Sequence, residues 1–276
     1  MTLNKSIEYI SRSGSSDKPN EDGFDTNDAY YLLLDGATGL GMNHIPHAES
    51  DAKWFVQMFI KLFKEKYARG LTTKILIENV LSEIQKLYMG IVGTFTLPKY
   101  ELPSASMVLI RNLDNGQVEV SRLGDCKAYY STKGDEYSIF NEPKICALDN
   151  LILTKMKIAP ISDDEIKSLL KKHRSLINTE DGYGALTIDS EGIKKCSNFI
   201  DKTVLNPQQN DRILLSTDGF SAVVDTYGYF SIGDLFGHSL VDIVEAIRKI
   251  EEDDSMLQKF PRFKKSDDAS AIRLNY

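Results

Sequence analysis

Three short apolar stretches of this chain run into, or open from, an aspartate. Leu32-Leu33-Leu34 leads to Asp35-Gly36, Ile213-Leu214-Leu215 leads to Asp218-Gly219, and Asp267-Asp268 precedes the apolar run from Ala269 to Leu274. Short apolar runs bounded by turn residues read as buried strands. Two more acidic points fall beside strand-like segments: Asp125 in Leu123-Gly124-Asp125, and Asn20-Glu21-Asp22. Taken singly, Asp-Gly is turn chemistry, and Asp181-Gly182 is read as only that. Taken together, several carboxylates crowding at the ends of adjacent strands cannot all stay ionised without a compensating cation. A hard divalent cation such as Mg²⁺ or Mn²⁺, with oxygen ligands, fits such a cluster.

Around these points the pattern alternates between strand and helix. Ala29 to Leu34 reads as a buried strand. Asp51 to Tyr67 carries Trp54, Phe55, Met58, Phe59 and Leu62 at helical spacing, and Thr72 to Tyr88 repeats this with Ile77, Val80, Leu81, Ile84 and Leu87, capped by Thr72 or Thr73. Both stripes are packing faces, and the single Trp54 belongs to one of them. Ala105 to Ile110, Gln117 to Leu123 and Lys127 to Ser131 read as strands, with Asp114-Asn115-Gly116 as a hairpin signal between the first two. That favours an antiparallel meander. Arg212 to Ser216 and Ala269 to Leu274 are further strands, and Leu240 to Ile250 is an amphipathic helix. The polar stretch 150–199, with one modest helix from Asp163 to Lys172, reads as an inserted, flap-like element in a single domain spanning 1–276. Strands and long helices on one core imply an α+β fold.

Composition narrows the function classes. Forty Asp and Glu against 33 Lys and Arg give a net charge of −7, which disfavours a phosphate backbone as partner, so nucleic acid is not expected. No apolar run is long enough to span a bilayer, and no basic-then-apolar leader pattern opens the sequence, so no membrane association is expected. Cys126, Cys146 and Cys196 fit neither a zinc knuckle nor a disulfide framework, which makes a reducing cytoplasm the expected location and oxygen the expected metal donor.

The acidic segments, in order, resemble the motifs of the metal-dependent (PPM, type 2C-like) protein phosphatase family. Asn20-Glu21-Asp22 is similar to its first acidic motif, and Leu34-Asp35-Gly36-Ala37-Thr38-Gly39 to its Asp-Gly metal motif. Pro103-Ser104-Ala105-Ser106 resembles the small-residue motif opening a core strand, and Leu123-Gly124-Asp125-Cys126-Lys127-Ala128-Tyr129 the Gly-Asp-Ser-Arg-Ala-Tyr type. Ser216-Thr217-Asp218-Gly219-Phe220 and Asp267-Asp268-Ala269-Ser270 resemble the closing aspartate motifs. The resemblance implies a four-layer αββα sandwich, two antiparallel sheets face to face with helices outside. It implies two Mn²⁺ or Mg²⁺ ions, with a third in some members. Asp35 would bridge both ions, the Gly36 carbonyl would bind one, and Asp218 and Asp267 would bind the second. Glu21 and Asp22 would hold the outer waters, and Asp125 would help bind the third ion. The implied activity is hydrolysis of phosphoserine and phosphothreonine on proteins by a metal-activated water, from a monomer, with no covalent intermediate.

The sequence departs from the family at two points. Where many members carry an arginine before the first motif to grip phosphate, the nearest cation here is Lys18, with Arg12 as a second candidate; lysine neutralises phosphate but cannot hold it bidentately. Where some members place a histidine after Asp-Gly, this chain has Ala37, with His44 and His47 a few residues on. Two rival readings remain: a weakly active or inactive member serving as a regulatory or binding module, and a different two-metal hydrolase such as a nuclease.

Overall fold

Tyr30 to Leu34 is the segment from which the architecture follows. All five residues are at most 2% exposed, so both faces of their strand are covered. Tyr30, Leu32 and Leu34 pack with Phe55, Phe59, Leu76, Ile77 and Val80 from two helices. Tyr31 and Leu33 pack with Ile213, Leu215, Ile272 and Leu274 from another sheet. An uninterrupted apolar run is what such double burial demands; period-two alternation would leave one face polar.

The computed structural model describes residues 5–93, 97–114, 116–158 and 162–276. In chain order the elements are β1 (Ser6–Arg12), β2 (Gly23–Thr26), β3 (Tyr30–Ala37), α1 (Asp51–Lys66), α2 (Thr73–Val92), β4 (Ser104–Asn112), β5 (Val118–Leu123), β6 (Lys127–Ser131), β7 (Glu136–Ser138), α3 (Lys144–Ile158), α4 (Asp163–Ser175), β8 (Leu186–Thr187), α5 (Ser190–Lys195), β9 (Asp201–Leu205), β10 (Arg212–Ser216), α6 (Asp218–Asp225), α7 (Asp234–Gly237), α8 (Leu240–Asp253) and β11 (Ala269–Asn275). One sheet has the order β1-β11-β10-β6-β7 and the other β2-β3-β4-β5-β9, with β8 on β4. All named strand pairs are antiparallel.

The inner faces of the two sheets share one apolar cluster. The outer face of the β3-containing sheet is covered by α1 and α2. On the opposite side, Leu214 and Ala271 pack with Phe220 and Val223 of α6 and Ile243, Val244 and Ile247 of α8. The result is the four-layer αββα sandwich. Helix starts follow local capping: Ser50, Thr72 and Ser239 each accept a bond from a backbone N–H in the first turn of α1, α2 and α8. The β4–β5 hairpin is present; Asn115, at the centre of its expected turn, lies outside the described residues.

The region between β7 and β9 holds more helix than the pattern predicts. Three helices, α3, α4 and α5, stand where one was expected, and α3 begins at Lys144, ahead of residue 150. Ile145 and Leu148 of α3 pack with Ile177, Tyr183 and Ala185 in a small cluster of their own. Leu151 on the same helix is 62% exposed, so apolar residues on both faces blur the helical period.

Among the described residues, no helix is long and apolar enough to cross a membrane.

If the outer layers carry the stability inferred from burial, Phe59→Ala lowers unfolding free energy by about 3–5 kcal/mol. Val204→Ala on the half-exposed β9 changes it by no more than about 0.5 kcal/mol. Urea titration measures both.

Candidate metal centre

Antiparallel register brings the acidic motifs to one end of both sheets. Asp35 sits opposite Ser106 on β4, and the Ser106 hydroxyl donates to Asp125 at 2.5 Å. On the other sheet Ser216 pairs with Ala271 on one side and Lys127 on the other. Asp218, Asp267 and Asp125, just beyond these ends, therefore meet. They line one cavity of about 450 Å³, walled by α3, by α6 and by the segment 259–267. Asp35 and Asp22 join the group through neighbours of Asp218. The Asp218 N–H donates to Asp35 Oδ2 at 3.4 Å, and the Thr217 hydroxyl donates to Asp22 Oδ2 at 3.1 Å.

The Asp-Gly pairs in this cluster are not the turns that their composition suggests. Gly36 lies within β3, where a Cβ would come 2.5 Å from the Glu21 carbonyl oxygen. Gly219 opens α6, where a Cβ would collide with the Asp268 carbonyl. Glycine is required at both because one backbone passes directly over another.

Glu21 is held at both ends. Its N–H donates to Asp268 Oδ2 at 2.7 Å, and its carboxylate accepts from the Thr38 hydroxyl at 2.5 Å. Asp268 also accepts from the Gly14 N–H at 2.8 Å, so this second aspartate of the final pair is a staple between the start of β11 and the first acidic motif. Lys18 stands exposed on the loop between β1 and β2 and, like Arg12, does not line the cavity. His44 faces Glu101 at 3.6 Å, and His47 lines a separate cavity beside α1.

Electrostatics set the character of the site. Burial first, then Asp218, Asp22 and Asp125, push the Asp35 carboxyl well above the usual range. Asp22 is likewise raised well above it by burial and by Asp268 and Asp267, against the opposing Ser270 hydroxyl. Asp125 is raised by burial, the Ser106 bond working against it. Asp218 is pushed up to about 7 by burial and by Asp267 and Asp125. The same burial and carboxylates hold the Cys126 thiol well above its ordinary value, which excludes a resting thiolate nucleophile there.

Three contributors carried no readable sequence signal. Asp149 of α3 lines the cavity, its carboxyl pushed up to about 7 by burial and then by Asp125 and Asp218. Arg174 of α4 donates to the Thr38 carbonyl at 2.6 Å, the Ala37 carbonyl at 3.0 Å and the Ser104 hydroxyl at 2.9 Å, clamping the backbone that follows Asp35-Gly36. Lys264 pairs with Asp267 at 2.5 Å. Periodicity cannot show Asp149 or Arg174, because their contacts join segments far apart in the chain; Lys264 lies only three residues from Asp267 but in an irregular segment with no period to read.

The donor set suits a hard divalent cation: oxygen only, several carboxylates on one cavity, and mutual repulsion that a cation would relieve. As the side chains stand, no group of three or more His, Cys, Asp or Glu among the described residues is arranged to hold an ion. Their oxygens are instead engaged by Lys264, Ser106, Thr217, Thr38 and the Asp218 N–H.

The two face-to-face sheets between helices are the fold of the PPM-type serine/threonine phosphatases, and the likeness covers nearly the whole chain. PstP of Mycobacterium tuberculosis superposes with a TM-score of 0.58 at 16% identity, covering 98% of both chains. A PstP structure in complex with two manganese ions gives 0.58 at 14% identity over 99% of each. PppA, described as a key regulatory component of T6SS in Pseudomonas aeruginosa, gives 0.58 at 14% identity over 99% of this chain and 98% of that one. No family model and no curated protein matches the chain in sequence, so the likeness is one of fold.

The carboxylate repulsion predicts how the metal-stripped protein responds to pH. A carboxyl whose folded pKa is raised stabilises the fold below its unfolded pKa and loses that contribution as pH rises through the folded value. With Asp218 at about 7 against an ordinary 3.8, the melting temperature of the EDTA-treated protein falls as pH rises from about 4 to about 7. Asp218→Asn flattens that decline, and scanning calorimetry across the range reads both.

Proposed function

We propose that this chain is a divalent-metal-dependent phosphatase that removes phosphate from phosphoserine and phosphothreonine on proteins. The observation that carries this reading is the meeting of Asp22, Asp35, Asp125, Asp218 and Asp267, whose carboxyls influence one another, at one end of a PPM-type sandwich. In this reading Asp35, Asp218, Asp267 and the Gly36 carbonyl hold two Mn²⁺ or Mg²⁺ ions. Glu21 and Asp22 position water around them, and Asp125 serves a third.

When bound, divalent cations acidify coordinated water and offset charge on phosphoryl oxygens. The chain's own residues do the rest. Arg174 and Thr38 fix the backbone after Asp35 and the carboxylate of Glu21, and the Ser106 hydroxyl orients Asp125. Cys126 takes no covalent part. The region 150–199, with α3 forming one wall of the cavity, is the element we assign to substrate selection.

Purified protein is expected to hydrolyse p-nitrophenyl phosphate and a phosphothreonine peptide only with Mn²⁺ or Mg²⁺ added. Asp35→Asn and Asp218→Asn are each expected to reduce kcat by at least about a hundredfold while the protein stays folded, as loss of a site's main electrostatic groups does. Absence of turnover and of metal binding with both ions would leave the regulatory-module reading standing. Glu21→Gln, which weakens the outer support, is expected to cost about 10–100-fold in Mn²⁺ affinity by calorimetry.

A further inference from the structure

The proposed reaction needs a cation to receive the substrate's phosphate, and the segment upstream of the first acidic motif supplies Lys18 and Arg12, neither of which lines the cavity that holds Asp125, Asp218 and Asp267. Four cations do line that cavity: Lys127, Lys259, Arg262 and Lys264. Their existing partners separate them. Lys127 is 6% exposed and held between Glu142 at 2.7 Å and Asp225 at 3.6 Å. Arg262 is fixed by Asp254 at 2.7 Å and by the backbone carbonyls of Phe260, Glu251 and Asp254. Lys259 lies over the Phe260 ring. None of the three forms an ion pair with a carboxylate of the cluster.

Lys264 differs in the one property that matters. Its carboxylate partner, at 2.5 Å, is Asp267, a residue assigned above to hold a metal ion. Its side chain remains 59% exposed, so the ammonium group is reachable from the cavity. A lysine ammonium is a cation at neutral pH, and this one lines the same cavity as Asp125, Asp218 and Asp267.

We propose that Lys264 is the phosphate-binding cation of this site, resting on Asp267 until metal takes that carboxylate and then pairing with the phosphoryl oxygens of the substrate. The inference rests on the phosphatase reading above. Its physical basis is charge exchange. A divalent ion competes for the Asp267 oxygens far better than an ammonium does, and an ammonium deprived of its counterion in a half-buried cavity needs another anion. The phosphomonoester is the anion that the reaction delivers there. Lysine serves as a point charge on a flexible stem, which suits a group that must turn from one partner to another.

The test compares wild type, Lys264→Met, Lys264→Arg and Lys18→Met. Calorimetry follows inorganic phosphate and a phosphoserine peptide binding to Mn²⁺-loaded protein, and a separate Mn²⁺ titration follows the metal. The expected result is that Lys264→Met weakens phosphate binding by at least about tenfold, the loss of one charge-assisted bond. Mn²⁺ affinity is retained or improved in that variant, since Asp267 is no longer occupied. Lys264→Arg recovers most of the phosphate affinity. Lys264→Met binding phosphate like wild type, or Lys18→Met losing more than Lys264→Met, overturns the assignment. So does wild-type protein that binds Mn²⁺ but no phosphate. Phosphate binding that depends on Lys264 without turnover of any phosphoester would uphold this assignment and refute the phosphatase reading, so the two fail separately.

Discussion

Mutual repulsion among carboxylates brought to one end of two sheets is the constraint around which this molecule is arranged. Burial and neighbouring charge raise Asp22, Asp35, Asp125 and Asp218 together. A chain with no use for such a cluster would scatter it, since each of these positions weakens the fold near neutral pH. Here the surrounding structure is spent on holding it. Ser106, Thr217 and Thr38 each donate to one carboxylate, and Asp268 ties the first motif to the last strand. Arg174 reaches from α4 to the backbone beyond Gly36.

The sandwich supplies the rigidity that this demands. Asp35 lies on a strand with both faces buried, and Asp218 follows another directly, so their positions are set by packing, whereas Asp267 lies in the irregular segment that leads into β11. The walls of the cavity are of a different kind. α3 joins a small separate cluster, and the segment 259–267 carries Lys264 with its side chain largely in solvent.

Much of this was legible in the sequence, and the reason is physical. Buried strands such as Tyr30 to Leu34 and Arg212 to Ser216 leave uninterrupted apolar runs, and α1, α2 and α8 leave clear helical stripes. The aspartates could be found because each is locked to a strand end. What could not be read are features whose signal lies in contacts between distant segments. Arg174 looks like any basic residue at the end of α4, and Asp149 like any acid on α3, until tertiary structure sets them against the cluster. Asp35-Gly36 and Asp218-Gly219 show the converse hazard. Their composition is that of turns, but their glycines answer to close backbone approach. In the flap-like region α4 was legible from Asp163 onward, whereas α3 escaped because it carries apolar residues on both faces, which hides the period that marks a helix.

The proposed divalent-cation site is one whose own carboxylate repulsion holds it partly protonated. The direct measurement is calorimetric titration of Mn²⁺ into metal-stripped protein near pH 6, repeated in two buffers of different ionisation enthalpy to count protons released. Saturable binding with net proton release is predicted, because a cation must displace the protons that crowding retains. Absence of binding, or binding with no release of protons, would contradict it.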